Sequence, residues 1–294
     1  MKIATVSRNG ATLVVAVDPE KQTVTPLNGS DGAGFHSMQE LIDASATAPG
    51  AKQVLSRGEL AFGDIIFLAP IPVPRRNILC VGKNYTEHAK EFTGSGFDSS
   101  AVSLADAIPK APIVFTKFPE TVIGPNDPIR YPHGASEQLD YEAELGVIIG
   151  KKGVNISKGE ALDHVFGFTI INDMTARDRQ AAHKQWFLGK SLDTFCPMGP
   201  WIATKEEFDL KTAQLRCWVN GELRQNACTS DLIFDVPTLI ETISQSITLY
   251  PGDVIATGTP AGVGIGFKPP KFLQVGDEIA IEIDGLGRLV NRIA

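Results

Sequence analysis

Cysteine is scarce in this chain. Its 294 residues hold four, Cys80, Cys196, Cys217 and Cys228, and no C-x-x-C pair. That is too few to build a disulfide framework at this length, so the thiols are expected to be reduced, as in a cytoplasmic protein. Long apolar runs are missing too. The longest, 65–73, already contains Pro70 and Pro72 and falls far short of the ~18 residues of a membrane span. The opening stretch MKIATVSRNG has no apolar signal core, which argues against secretion. Basic charge is in deficit, with 27 Lys and Arg against 34 Asp and Glu and a formal net charge of −7. An acidic surface excludes nucleic acid and anionic membrane as main partners, because phosphate binding needs a basic face. Neither G-x-x-x-x-G-K-[ST] nor G-x-G-x-x-G occurs, so nucleotide phosphates have no cradle, and no G-x-S-x-G marks a hydrolase nucleophile. The five histidines never fall at i,i+2 or i,i+4, which excludes a histidine-rich zinc site.

What is present is a globular chain, 43% hydrophobic and 21% charged, able to bury a large core. Its length suits one large domain with a small extra one. Residues 1–70 read as a small β-rich N-terminal domain: KIATVS, TLVVAVD and QTVTPL are strand-like and separated by Asn-Gly and Pro-Glu turns, and 37–46 reads as an amphipathic helix with Met38, Leu41 and Ile42 on one side. Three prolines at alternate positions make 69–74 a stiff, extended linker. From there to residue 294 a second domain is dominated by strand-like runs, with helical patterns only at 86–92, 176–185 and 237–246. The expected fold class is α+β and β-rich, a barrel or roll rather than a doubly wound sheet. The Gly- and Ser-rich stretch 93–109 reads as a flexible loop.

The sharpest feature is LDYEAELGVIIG (139–150). As one strand it would put Asp140, Glu142 and Glu144 on one face, with the two glutamates roughly 6.6 Å apart at about 3.3 Å rise per residue. Like charges pointing into one space need a cation between them or a retained proton; a solvated acidic edge is the other reading. A third carboxylate favours the first. The apolar run 166–171 ends in Asn172-Asp173, and polar residues at the end of a buried strand often line a site. Glu142, Glu144 and Asp173 form an all-oxygen donor set, which selects Mg²⁺, Mn²⁺ or Ca²⁺ over Zn²⁺.

Together with these acids, VGKNY (81–85), DYEAE (140–144), NDMTARD (172–178), GKSLDTFCPMGP (189–200) and TGTPAGV (257–263) resemble, in this order, the fumarylacetoacetate hydrolase family over nearly three quarters of the chain. The resemblance implies a mixed β-sandwich roll, a homodimer, and a Mg²⁺ or Mn²⁺ site at Glu142, Glu144 and Asp173. It leaves open the reaction, because the family includes C–C hydrolases, oxaloacetate tautomerases and decarboxylases, isomerases and lyases. His88 and Glu91 stand at i,i+3, which on spacing alone is a solvated helix face; the resemblance makes them a water-activating dyad, with Glu91 orienting the ring. Lys190, otherwise an ordinary surface lysine, would stabilise an enolate oxygen. Gln180 would donate to the substrate, Arg177 and Lys117 would hold substrate carboxylates, and Thr259, in a turn that also suits an anion nest, would do likewise. The leading expectation is a metal-dependent hydrolase that cleaves a C–C bond in a small acylpyruvate or 2,4-diketo acid, with His88 activating water. The alternatives are an oxaloacetate tautomerase or decarboxylase, or a 2-hydroxy-dienedioate isomerase, at the same site. Outside enzymes, a β-scaffold with a structural cation is the remaining reading.

Overall fold

Val, Ile and Leu runs pair into two sheets because β-branched and apolar side chains suit a pleated surface that is covered. The computed structural model describes residues 1–28, 34–47, 54–55, 58–98 and 103–294. The elements used below are β1 (Lys2–Arg8), β2 (Ala11–Asp18), β3 (Thr23–Asn28), α1 (Met38–Thr47), β4 (Ile78–Gly82), α2 (Thr86–Gly94), β5 (Ile113–Lys117), β6 (Ala143–Ile149), β7 (Val165–Asn172), α3 (Arg177–Ala182), α4 (Phe187–Lys190), β8 (Cys196–Thr204), β9 (Gln214–Val219), β10 (Glu222–Cys228), α5 (Val236–Ser244), β11 (Val254–Ala256), β12 (Glu278–Ile283) and β13 (Gly287–Ile293). The larger sheet runs β3-β2-β1-β8-β7-β6-β11-β4-β5, and the smaller is β13-β12-β9-β10 with Pro128–Ile129 at its edge. This β-rich α+β architecture is the one expected.

The hairpins β1–β2 and β9–β10 turn on Asn9-Gly10 and Asn220-Gly221, all four residues at positive φ. That is the backbone that matches the right-handed twist of the paired strands. β6 explains the long apolar run of the sequence. Leu145, Val147 and Ile149 pack with β9, β12 and α5 in one core, and Ile148 packs with α1 and β8 in another, so the strand is covered on both faces. β1 pairs with β8 through Lys2↔Ala203 and Ile3↔Ile202, which ties the N-terminal strands to the larger sheet. No helix among the described residues is long and apolar enough to cross a membrane, and all four cysteines are free thiols.

Four expectations change. The single strand through 139–150 is broken: Leu139–Asp140 pairs with Thr175–Ala176, and β6 begins only at Ala143. The helix expected at 176–185 is shorter, ending at Ala182 as α3, and a separate short helix, α4, follows it from Phe187. The 69–74 stretch is no free linker, because Ala69 and Ile71 are buried and Thr5 Oγ1 donates to Pro70 O. In the 93–109 loop, α2 runs on to Gly94 and Leu104–Asp106 forms a 3-10 turn; positions 99–102 lie outside the described residues.

Close approach of α3 and α4 positions the site. A Cβ at Gly189 would lie 2.5 Å from Gln180 N and 2.8 Å from Ala176 O, too near for backbone to yield. Gly189→Ala is expected to destabilise the fold by about 1–3 kcal/mol, read as a lower urea midpoint; an unchanged midpoint would mean that the two helices are free to separate.

Candidate active site

Antiparallel pairing brings the acids together. β6 and β7 align Ala143 with Asn172 and Glu144 with Ile171. Beyond the ladder, Asp173 N donates to Glu142 O at 2.8 Å and Glu142 N donates to Asn172 Oδ1 at 3.1 Å. Glu142, Glu144 and Asp173 are all buried, and one oxygen of each lies within 4.8 Å of the others.

Cations surround them. Lys190 Nζ bridges Glu142 Oε2 at 2.7 Å and Asp173 Oδ2 at 2.8 Å. Arg177 reaches Glu142 Oε1 at 2.7 Å and Asp140 Oδ2 at 2.9 Å. Lys117 Nζ donates to Asp173 Oδ1 at 2.7 Å and to Met174 O. Burial works against charge on Glu142, yet the Lys190 ammonium and the Arg177 guanidinium hold its carboxyl at about 2. Lys190 is likewise opposed by burial but lifted above the ordinary lysine value by Asp173 and Glu142. Glu144 has no such partner. It accepts from the Gly258 N–H at 2.8 Å, and burial, then the charges of Asp173 and Glu142, push it well above the usual carboxylate range.

This donor set fits a divalent cation. The ligands are all oxygen, each carboxylate oxygen keeps a second lone pair when it accepts one hydrogen bond, and Glu144, unlike Glu142 and Asp173, makes no direct ion pair with the described cations. Four buried carboxylates here (Asp140, Glu142, Glu144, Asp173) face three buried cations (Lys117, Arg177, Lys190). A divalent cation would offset that excess of carboxylates over cations.

Above the acids lies a narrow cleft, with Glu142, Glu144, Arg177, Gln180, Lys190 and Thr259 on the polar side. Phe92, Phe115 and Trp186 supply apolar wall. His88 also lines it, with Nδ1 3.2 Å from Glu91 Oε2; Glu91 in turn accepts from Gly262 N. With Nδ1 engaged, Nε2 is the nitrogen left to exchange a proton. Gln180 Oε1 accepts from Arg177 Nη1, which leaves its amide NH₂ as a donor.

Residues 77–294 match the profile of the fumarylacetoacetate (FAA) hydrolase C-terminal family. The chain is 54% identical over 226 residues to oxaloacetate tautomerase YisK of Bacillus subtilis, spanning 76% of this chain and 72% of that protein. The chain belongs to the fumarylacetoacetate hydrolase family. Human mitochondrial oxaloacetate tautomerase FAHD2A is 41% identical over 276 residues, 92% of this chain and 83% of its own length. Among solved structures, a fumarylacetoacetate hydrolase from Exiguobacterium antarcticum superposes with a TM-score of 0.85 at 40% identity, covering 100% of this chain and 99% of that one. A 2-hydroxyhepta-2,4-diene-1,7-dioate isomerase from Mycobacterium marinum does so at 0.77 and 31%, covering 100% and 98%.

The structure thus brings His88, Glu91, Glu142, Glu144, Asp173, Arg177, Gln180, Lys190 and Thr259 to one place. Lys117 is set differently from its expected role: it is fully buried behind Asp173 as that acid's counterion and is not among the residues lining the cleft. In the turn at 257–264, Gly258 N serves Glu144, and Thr259, which lines the cleft, donates Oγ1 to Ala143 O and accepts from Gln225 Nε2. Asp140 turns away from the cation pocket and accepts from Gly264 N and Ile265 N as well as from Arg177. Sequence reasoning misses Lys83 and Trp186, which carry no local signal beyond membership of quoted or neighbouring segments.

Glu144→Gln keeps the Gly258 hydrogen bond and removes one carboxylate from the donor set. Mn²⁺ binding measured by calorimetry is expected to weaken by ~10²-fold or more, with an unchanged circular dichroism spectrum. Wild-type affinity in the variant would place the cation elsewhere.

Proposed function

We propose that this protein interconverts the enol and keto forms of oxaloacetate or a closely related small 2-oxo acid, with Mg²⁺ or Mn²⁺ as cofactor. One observation carries the reading: a positioned imidazole, His88, opens onto a small cleft whose floor is the charged Glu142–Lys190–Asp173 cluster. The names of the two tautomerase relatives above point the same way. The family also covers C–C hydrolysis, the leading expectation from the motifs, but those relatives lend it no specific support.

A divalent cation at Glu142, Glu144 and Asp173 would supply positive charge beside the substrate's carboxylate and 2-oxygen. Arg177 offers a further anchor, since its Nη2 is buried and has no hydrogen-bond partner. An unpaired guanidinium donor in a buried wall favours an anion that satisfies it. Lys190 stabilises negative charge on the 2-oxygen as the enol loses its hydroxyl proton. His88 delivers a proton to C3. The electron pair of the C2–C3 double bond becomes the new C–H bond, and the O–H pair becomes the second bond of the carbonyl. The hydroxyl proton leaves to water and a proton taken from water restores His88, so one proton leaves oxygen, one arrives at carbon and the composition is unchanged. Glu91 keeps the imidazole oriented through the Nδ1 contact.

His88→Ala is expected to slow enol-to-keto conversion by roughly 10²–10⁴-fold, followed as the loss of enol absorbance, while Mn²⁺ affinity stays near that of the wild type. A rate within about threefold of wild type would remove His88 from the reaction.

A further inference from the structure

Lys83 lines the same cleft and has no part in the chemistry above. It sits between β4 and α2 with φ at 56°, the left-handed region that a residue with a side chain adopts only when its surroundings impose it. Asn84 imposes it: its Nδ2 donates to Thr257 O and Phe234 O, and its Oδ1 accepts from Phe234 N. The result is a lysine only 3% exposed whose long side chain is held at the cleft.

The other cations of the cleft are taken up by the acid cluster. Lys190 is shared between Glu142 and Asp173, and Arg177 between Asp140 and Glu142. The counterion of Lys83 comes from outside that cluster. Its Nζ lies 2.8 Å from Asp98 Oδ2, with both side chains almost fully buried, and Thr93 Oγ1 donates to the same oxygen at 2.6 Å. Asp98 follows α2, the helix that carries His88 and Glu91, so one buried ion pair clasps the two ends of that helix together.

We propose that Lys83 is the receptor for the second carboxylate of a 2-oxo diacid, and that Asp98 is the internal carboxylate it exchanges for that group. The proposal rests on the reading of the cleft as a 2-oxo-acid site and adds its specificity. The first carboxylate has Arg177 and the cation; a dianion brings a second that must not be left unpaired in a buried wall. A lysine on a flexible four-carbon stem changes partner without moving the backbone, and trading one carboxylate for another conserves the charge. A monoanion has nothing to offer Lys83, so Asp98 stays in place.

The test uses L-malate and L-lactate, unreactive hydroxy acids that differ by one carboxylate, titrated into Mg²⁺-loaded protein by calorimetry, with oxalate as a ligand that lacks any distal group. Wild type is expected to prefer malate to lactate by ~10–100-fold, the weight of one charge-assisted hydrogen-bonded pair. Lys83→Gln should bring the two within about threefold while leaving oxalate unchanged, and Lys83→Arg should restore part of the preference. Asp98→Asn should tighten malate several-fold and leave lactate alone, because the competitor has lost its charge. No malate preference in wild type, a preference that survives Lys83→Gln, or weaker malate binding in Asp98→Asn with normal oxalate binding would each overturn the proposal. If Lys83→Gln fails to fold, Lys83→Arg and Asp98→Asn carry the same decision. A malate preference that depends on Lys83 in a protein that does not speed enol–keto exchange would refute the proposed reaction and leave this assignment standing.

Discussion

The antiparallel register between β6 and β7 is the constraint from which the site follows. It pairs Ala143 with Asn172 and lets Asp173 N bond Glu142 O, so acids from two strands are forced into one buried space. Side chains alternate along a strand, and a slip of one residue would send Glu144 into the core that holds Leu145 and Val147. The apolar faces of both strands, each packed against a different core, forbid that slip. Hydrophobic burial therefore sets the positions of charges that gain nothing from burial themselves.

Those charges are compensated by orientation rather than by exposure. Buried ion pairs are weak sources of stability but costly to leave half-made. Arg177, Lys190 and Lys117 each hold a carboxylate in a fixed direction, and Glu144 is held by the Gly258 N–H. One turn ties the parts together. Gly258 N bonds Glu144, Gly262 N bonds Glu91, and Gly264 N bonds Asp140, which in turn holds Arg177. Glu144, the His88–Glu91 pair and Arg177 thus depend on a single backbone segment, 258–264.

Much of this is legible in the amino-acid sequence. The spacing of Glu142 and Glu144 and the polar end of β7 point to the acids, because alternation in a strand is a local rule. His88 and Glu91 share a helix face by spacing, but only the resemblance to the family gives them a task. Where sequence and structure part, the decisive contact is distant along the chain. Lys117 looks like any isolated base until Asp173, 56 positions on, is found beside it. Asp140 fits the alternation with Glu142 and Glu144, yet the strand breaks there, with Tyr141 OH bonding Gly262 O and Asp140 capping Gly264 and Ile265. Lys83 is silent because neither its positive φ nor its partner Asp98 can be inferred from the letters around it.

The proposed reaction exchanges a proton at carbon and leaves every carbon–carbon bond intact. Proton NMR of oxaloacetate in D₂O, with Mg²⁺ and the wild-type protein, measures both at once. The expected result is loss of the C3 hydrogen signal far faster than in the protein-free control, with no matching rise of pyruvate. Pyruvate appearing as fast as the C3 signal decays, or exchange no faster than in the control, would contradict it.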